Sequence, residues 1–255
     1  MFDKSMQLTV IGSGTMVPTK ERNPSAFLLE LDRKRILLDC GHCTIRRLID
    51  LNIDPQSIDA VFISHFHTDH FGDAFNLVHS RWVDDNYQNK SHRPLLFIGP
   101  IGLKERFGMW RKIYWPEPEE SYPLKFKEGE LNLEIGDIGV KTFQVYHVPW
   151  FQSVGIEIQY SGKTIIYTGD VGSKHDFNLL VKQVRNADLL ITEASYEFPT
   201  PNHYTIEQIK TLAERANISK VLIVHVRPQH VERVKVFIRD NSRFQLAEDS
   251  DIVRV

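Results

Sequence analysis

Apolar runs with β-branched residues open the chain at residues 8–11, 26–31 and 35–39, separated by turn-forming Gly, Asn and Pro, and they predict strands. The spacing turns helical at 44–51, returns to an apolar strand at 60–63, and is helical again from about 73 to 81. Residues 95–98 predict a strand ended by Gly99-Pro100, followed by an amphipathic helix at 103–113. From 131 to 166 the pattern is strands, 141–146 among them, with a hairpin at Ser161-Gly162. The last third alternates: strands at 164–168, 189–192 and 221–225, helices at 177–184, 206–216 and 231–239. One helix is well marked. Thr205-Ile206-Glu207-Gln208 has capping-box spacing, and Ile206, Ile209, Leu212, Ala213 and Ala216 share a face. His203 therefore sits in the loop just ahead of a helix start. Trp110, Tyr114, Trp115 and Tyr122 cluster between Pro94 and Pro123; a substrate flap is one reading, and a plug on one side of the core carries more weight.

Strands first and interleaved helices later imply a layered α/β architecture. No repeat, low-complexity tract or long linker interrupts residues 1–255, so one domain is expected. Hydrophobic residues are 42% and charged residues 25%, ordinary for a soluble globular chain with its own core. Apolar runs such as Val221-Leu222-Ile223-Val224 fall far short of the ~20 residues a bilayer needs, so no membrane partner is expected. Met1-Phe2-Asp3-Lys4-Ser5 opens without a long apolar stretch, and a cytoplasmic location follows as the expectation. With 31 Lys plus Arg against 33 Asp plus Glu, the net charge of -2 argues against broad electrostatic capture of nucleic acid. A local patch stays open.

Cys40-Gly41-His42-Cys43 is a C-x-x-C, and a dithiol oxidoreductase is one reading of it. Small reduced residues at a strand end are the other, and they carry more weight in the expected compartment. A structural zinc site would need further ligands at matching spacing, and no second C-x-x-C exists.

Ser64-His65-Phe66-His67-Thr68-Asp69-His70 is the informative segment. It follows the apolar strand at 60–63, so three imidazoles and a carboxylate leave one strand end together. Neutral imidazole and carboxylate oxygen suit zinc. In a tight loop His65 and His67 can grip one ion while Asp69 and His70 grip a neighbour. Solvated loop residues would not need four ligand-type residues in six positions. His147, Asp170 and His225 also sit at or just past predicted strand ends, where α/β chains converge on one rim.

The set resembles the metallo-β-lactamase superfamily, through His65-Phe66-His67-Thr68-Asp69-His70, then His147, Asp170 and His225, and earlier Asp39-Cys40-Gly41. The resemblance covers nearly the whole chain. It implies a four-layer αββα sandwich with a dinuclear centre between two sheets. It implies that His65, His67 and His147 bind one divalent metal and Asp69, His70 and His225 the other, with Asp170 bridging. Zinc is expected, with manganese as the alternative. Asp39 would orient a metal-bound imidazole. Two dications, two carboxylates and a bridging hydroxide leave about +1, which matches a singly negative phosphodiester.

Gly12-Ser13-Gly14-Thr15 has no Lys in Walker position, so a P-loop is excluded. The turn is similar to the Gly-rich opening of ribonuclease Z-like members, and places Ser13 and Thr15 at the substrate. Glu193-Ala194-Ser195-Tyr196 and Asn202-His203-Tyr204-Thr205 resemble two further runs of that branch. The resemblance implies that His203 contacts the scissile phosphate and assists the leaving oxygen, with Glu193 orienting it. A hydrolysis follows in which a bridging hydroxide attacks phosphorus, Asp69 takes its proton and His203 protonates the leaving group.

Ribonuclease Z of the bacterial type carries a long arm between the strands that correspond to those ending in His147 and Asp170. Here only 22 residues separate the two, and a hairpin uses them. A small or cyclic phosphodiester is therefore the leading expectation. The alternative is a transfer RNA 3′-processing endonuclease acting on an RNA end, with a homodimer partner supplying basic surface from Arg227, Arg233, Lys235 and Arg239. A solvated helix face is the weightier reading of those four. A thioesterase or lactonase would leave His203 and Glu193 without a task. A non-catalytic metal-binding sensor would not need every ligand position filled.

Overall fold

Apolar runs rich in β-branched and aromatic residues build the first sheet from β1 (Met6–Gly12), β2 (Ala26–Leu31), β3 (Lys34–Leu38), β4 (Ala60–Phe62) and β5 (Leu95–Gly99), with β6 (Leu124–Glu128) at its edge. The second sheet comprises β7 (Asn132–Ile135), β8 (Ile138–Val145), β9 (Ser153–Tyr160), β10 (Lys163–Tyr167), β11 (Leu189–Glu193), β12 (Lys220–Val224) and β13 (Phe244–Leu246). The last strand, β14 (Ile252–Arg254), returns to the first sheet beside β1. The helices are α1 (Thr44–Asp50), α2 (Thr68–Phe71), α3 (Ala74–Gln88), α4 (Leu103–Tyr114), α5 (Phe177–Gln183), α6 (Ile206–Arg215) and α7 (Val231–Ile238). This computed structural model describes residues 6–88, 93–114 and 122–255.

Strand order is β14-β1-β2-β3-β4-β5-β6 in one sheet and β13-β12-β11-β10-β9-β8-β7 in the other. Each sheet is antiparallel at one end and parallel at the other, β3 through β6 and β10 through β13 running parallel. Parallel strands covered on both faces need continuous apolar runs. Ala60-Val61-Phe62 and Leu189-Leu190-Ile191 supply them, all buried.

Three apolar layers separate four structural ones. Between the sheets, Leu8, Phe27 and Phe62 meet Ile156, Tyr167, Ile191 and Leu222. Outside the first sheet lie Leu48 of α1, Val78 of α3 and Phe107 of α4. Outside the second lie Leu180 of α5, Ile209 and Leu212 of α6, and Val234 of α7. Fully burying such a side chain stabilises by ~1.5–3 kcal/mol, and both faces of each sheet contribute. The molecule is the αββα sandwich.

The hydrophobic pattern located the elements with instructive exceptions. α3 runs to Gln88 rather than 81 because Arg81 continues its buried face, with its guanidinium donating to Ile58 O at 2.7 Å and Arg93 O at 2.8 Å. β6 alternates strictly, yet its Lys125 and Lys127 disguise an edge strand. β13 and β14 are three residues each, too short for a period. Trp110 stacks on Phe71 at 4.8 Å and Tyr122 is buried, as a core plug would be, whereas Tyr114 is 70% exposed. Trp115 lies outside the described residues. No helix among the described residues is long and apolar enough to cross a membrane.

The capping box of α6 is present. Thr205 Oγ1 accepts from Gln208 N–H, and Gln208 Oε1 accepts from Thr205 N–H at 3.0 Å. Thr205→Ala should lower unfolding stability by ~1 kcal/mol, with Thr205→Ser restoring most of it, both read from denaturant midpoints at unchanged m-value.

Candidate metal centre

The site is assembled from strand ends on one rim. Asp39 follows β3 with φ 58° and His225 follows β12 with φ 53°, both in the left-handed region that Asp and His tolerate better than most residues. His65 and His67 lie in the loop after β4, and the single turn of α2 carries Asp69 and His70. His147 follows β8, Asp170 follows β10, and Glu193 ends β11. The Asp39-Cys40-Gly41 turn clasps α2: Cys40 N–H donates to His70 O at 2.8 Å, and a Cβ on Gly41 would lie 2.2 Å from Asp69 O. That contact requires glycine.

Four of the imidazoles have one nitrogen tied back and the other aimed inward. His70 Nδ1 donates to Asp39 Oδ2 at 2.6 Å, His147 Nδ1 to Asn202 O at 2.7 Å, His65 Nδ1 to Ser64 Oγ at 3.0 Å, and His225 Nδ1 to Ser195 Oγ at 2.7 Å. The back bond fixes the tautomer and leaves a lone pair in front. His67 Nδ1 lies 3.0 Å from His65 Nε2 and 3.3 Å from His147 Nε2. A proton on His67 Nδ1 could meet only one of those two nitrogens, whereas a cation among the three would meet them all. Asp69 Oδ1, Asp170 Oδ1 and His70 Nε2 are buried with no hydrogen-bond partner among the described residues. Each such atom costs ~1–3 kcal/mol if left unmet. The donor set fits a metal.

Protonation states agree with this. Burial, reinforced by neighbouring imidazoles, pushes His65 well down and His67 to about 4, and burial lowers His147. Burial would raise Asp69, but His70 and His225 hold it at about 2; His225 and His70 likewise hold Asp170 well below the carboxylate range. Neutral imidazoles and ionised carboxylates are the ligand forms. Burial would lower His70, yet Asp170, Asp69 and Asp39 raise it well above the usual range, a measure of the negative field a cation would meet.

His65, His67, His147 and Asp170 could hold one ion, and Asp69, His70 and His225 another; each set has ligand atoms within 4.8 Å of one another. Asp170, Glu193, His203 and His225 form a third such group. His203 Nδ1 donates to Glu193 Oε2 at 2.8 Å, and Glu193 Oε1 accepts from Val171 N–H at 2.9 Å. Burial would lower the His203 pKa, but Glu193 raises it to about 9. A cavity of about 490 Å³ opens over His67, Asp69, Asp170, His203 and His225, with Thr15 and Tyr196 on its wall.

One expectation changes here, and two lesser alternatives, the dithiol and the basic helix face, lose ground. Thr15 lines the cavity, but Ser13 is fully buried: its hydroxyl donates to Asp249 and accepts from Arg22, and its carbonyl accepts from His225 N–H at 2.9 Å. Ser13 holds His225, with no free group for a substrate. Cys40 is buried, Cys43 is exposed and both are free, with Cys40 raised by burial, so no dithiol pair forms. Arg233 pairs with Glu197 and Glu207, and Lys235 with Glu232 and Glu248, so that helix face is already neutralised from within. The sequence reading missed Ser64, Tyr167 and Ser195. Ser64 is adjacent to the signature and Ser195 stands within the Glu193–Tyr196 run, but nothing local marks Tyr167.

The fold and its buried His/Asp clusters define a metal-dependent hydrolase. The chain belongs to the metallo-beta-lactamase superfamily, whose profile matches residues 19–205. Ribonuclease Z of Thermococcus sibiricus is 26% identical over 98% of this chain and 96% of its own. Ribonuclease Z of Methanosarcina acetivorans is 22% identical over 93% of each. Among solved structures, the metallo-beta-lactamase fold protein YhfI from Bacillus subtilis superposes with a TM-score of 0.81, at 20% identity over 99% of this chain and 100% of that one. Human tRNase Z, short form, gives 0.78 at 22% over 97% and 98%, and a diphosphatase from the PhnP family 0.76 at 18% over 97% of each.

Removing charge behind the site tests its design. Asp39→Asn should weaken metal affinity ~10–100-fold, measured on folded protein by competition with a chromogenic chelator. In metal-free protein, NMR titration should find His203 near 9, and Glu193→Gln should return it toward 6.5. A raised histidine pKa stabilises the fold fully below 6.5 and loses that contribution as pH rises through about 9. Glu193→Gln should therefore cost more stability at pH 6 than at pH 10.

Proposed function

We propose that the chain is a dinuclear zinc endonuclease of ribonuclease Z type, cutting a phosphodiester near the 3′ end of a precursor transfer RNA. The observation that carries it is the Glu193–His203 pair at the cavity beside the donor cluster: a carboxylate that favours the protonated imidazole, the acid that a phosphodiester's poor leaving group needs and a thioester or lactone does not. The near-full-length similarity to curated proteins named Ribonuclease Z supports RNA over the small diester that the sequence favoured.

His65, His67 and His147 would hold one ion and Asp69, His70 and His225 the other, with Asp170 between them; nitrogen and oxygen donors suit zinc and also manganese. Bound divalent ions supply Lewis acidity at phosphate oxygens and lower the pKa of water. Asp39, Asn202 O, Ser64 and Ser195 hold the imidazoles so that substrate binding moves none of them. Asp69 accepts a proton from the attacking water. With Nδ1 committed to Glu193, His203 presents Nε2 to the leaving oxygen and gives up its proton as the bond to phosphorus breaks.

One observation keeps a small phosphodiester as the second reading. The segment between His147 and Asp170 is the β9–β10 hairpin, within the sheet. The alignment with the Thermococcus sibiricus protein runs over 307 positions against 255 residues here, so at least 52 positions have no counterpart in this chain. Cleavage of a precursor transfer RNA at the 3′ side supports the first reading, and turnover of cyclic nucleotides alone replaces it with the second.

His203→Ala should retain metal by elemental analysis and lose ~10²–10⁴-fold in rate on a substrate with a ribose leaving oxygen. The loss should shrink sharply for p-nitrophenolate, which needs little protonation. His67→Ala should lose metal and activity together. Metal loss from His203→Ala, or equal deficits for both leaving groups, would remove the general-acid assignment.

A further inference from the structure

Arg227 is a cation that neither the donor sets nor the acid pair uses. It follows His225 by two residues and lies on the cavity wall. Pro228 begins a short 3-10 turn there, closed by His230 N–H donating to Arg227 O at 2.9 Å, so its backbone is fixed. Its guanidinium lies over the Tyr196 ring at 4.2 Å; Tyr196 stacks on His203 with centroids 5.2 Å apart, and His203 stacks on His225 at 5.7 Å. The head group is thereby held in register with the proposed acid.

Two features separate Arg227 from ordinary surface arginines. Among the described residues it has no carboxylate within ion-pair distance, although Arg233 and Lys235 on the next helix are each paired twice. It also faces a cavity whose own charge suffices for one phosphate. Two dications held there, less Asp69, Asp170 and a hydroxide, would contribute about +1, which one diester would neutralise. A second fixed positive charge on the same wall matches a second phosphate.

We propose that Arg227 binds the phosphate next to the scissile one, so that the site prefers a polynucleotide to an isolated phosphodiester. The proposal rests on the RNA reading above. A planar guanidinium meets two phosphate oxygens at once, and its cost of ordering is already met by Tyr196. Fixing the neighbouring phosphate sets the register of the strand, so the scissile bond comes to lie against His203.

The test is a cycle between side chain and phosphate. Arg227→Met keeps the stem over Tyr196 and removes the charge, while Arg227→Lys keeps the charge. Substrates are a short RNA, and the same RNA with the phosphate on either side of the cleaved bond replaced by neutral methylphosphonate. At one of the two positions the replacement should lower kcat/KM of the parent enzyme about 10-fold and that of Arg227→Met less than about 2-fold, the non-additivity expected of partners in contact. Arg227→Lys should stay closer to the parent. Equal penalties in parent and Arg227→Met at both positions overturn the proposal. So does a loss on bis(p-nitrophenyl) phosphate, which has one phosphate, as large as the loss on RNA; Arg227 would then act only through Tyr196 and His203. If the parent cuts no RNA, the RNA reading itself fails. Arg227 is then judged by anisotropy of a fluorescein-labelled octaribonucleotide: Arg227→Met should flatten the slope of log Kd against log salt by about 0.7, one phosphate contact on a single strand. An unchanged slope overturns it.

Discussion

The buried carboxylate of Asp39 ties the two sheets to the site. It accepts from Ser64 N–H at 2.7 Å, Ser64 Oγ at 2.8 Å, His70 Nδ1 at 2.6 Å and the Tyr167 hydroxyl at 2.6 Å. Ser64 lies in the loop after β4 and His70 in α2 just beyond it, whereas Tyr167 ends β10 on the opposite sheet. Tyr167 is itself packed between the sheets, edge-on to Phe27 at 5.4 Å and Phe62 at 6.2 Å. Inter-sheet packing and imidazole orientation thus meet at one anion. A carboxylate taken fully out of water is costly unless its lone pairs are filled, and four donors fill these.

That dependence explains which parts of the site were legible. The His65 to His70 run could be read because all its ligand types leave one strand within six residues. Asp170 and His225 could be read because parallel strands put their C-terminal ends on one rim. Tyr167 could not. Its hydroxyl matters only once β10 lies across from β3, and a Tyr at a strand end is ordinary by itself. Ser195 was read as one letter of a motif, while its work is to receive the back nitrogen of His225. Ser13 misled for the converse reason: a small polar residue in a Gly-rich turn looks like a ligand-facing group until Asp249, 236 residues away, claims it.

The fold shows the same division. Strands buried on both faces and helices with one apolar stripe announced themselves. β6 did not, since an edge strand protects itself with lysines and so dilutes its own signal. β14 depends on pairing with β1 across nearly the whole chain, through Leu8 opposite Val253. Its three residues carry no period, and only the register of a distant partner makes them a strand.

The pairing of Glu193 with His203 is built on a buried strand end, which bears on how the site can work. Glu193 is nearly fully buried and ends a strand whose five residues are all buried. Its two oxygens are shared between Val171 N–H and His203 Nδ1, so it cannot swing toward the proposed metal ligands without abandoning a backbone donor. His203, by contrast, belongs to a loop, with its N–H donating to Thr200 Oγ1 at 3.0 Å and α6 beginning three residues later. The partner of the proposed acid is thus fixed, and His203 itself stands at the cavity wall. A proton leaving His203 therefore turns a charged buried pair into an unpaired carboxylate, which the low-dielectric surroundings oppose. The same surroundings favour its rapid reprotonation, so the site returns to the acid form without any rearrangement of the residues that would hold the metals.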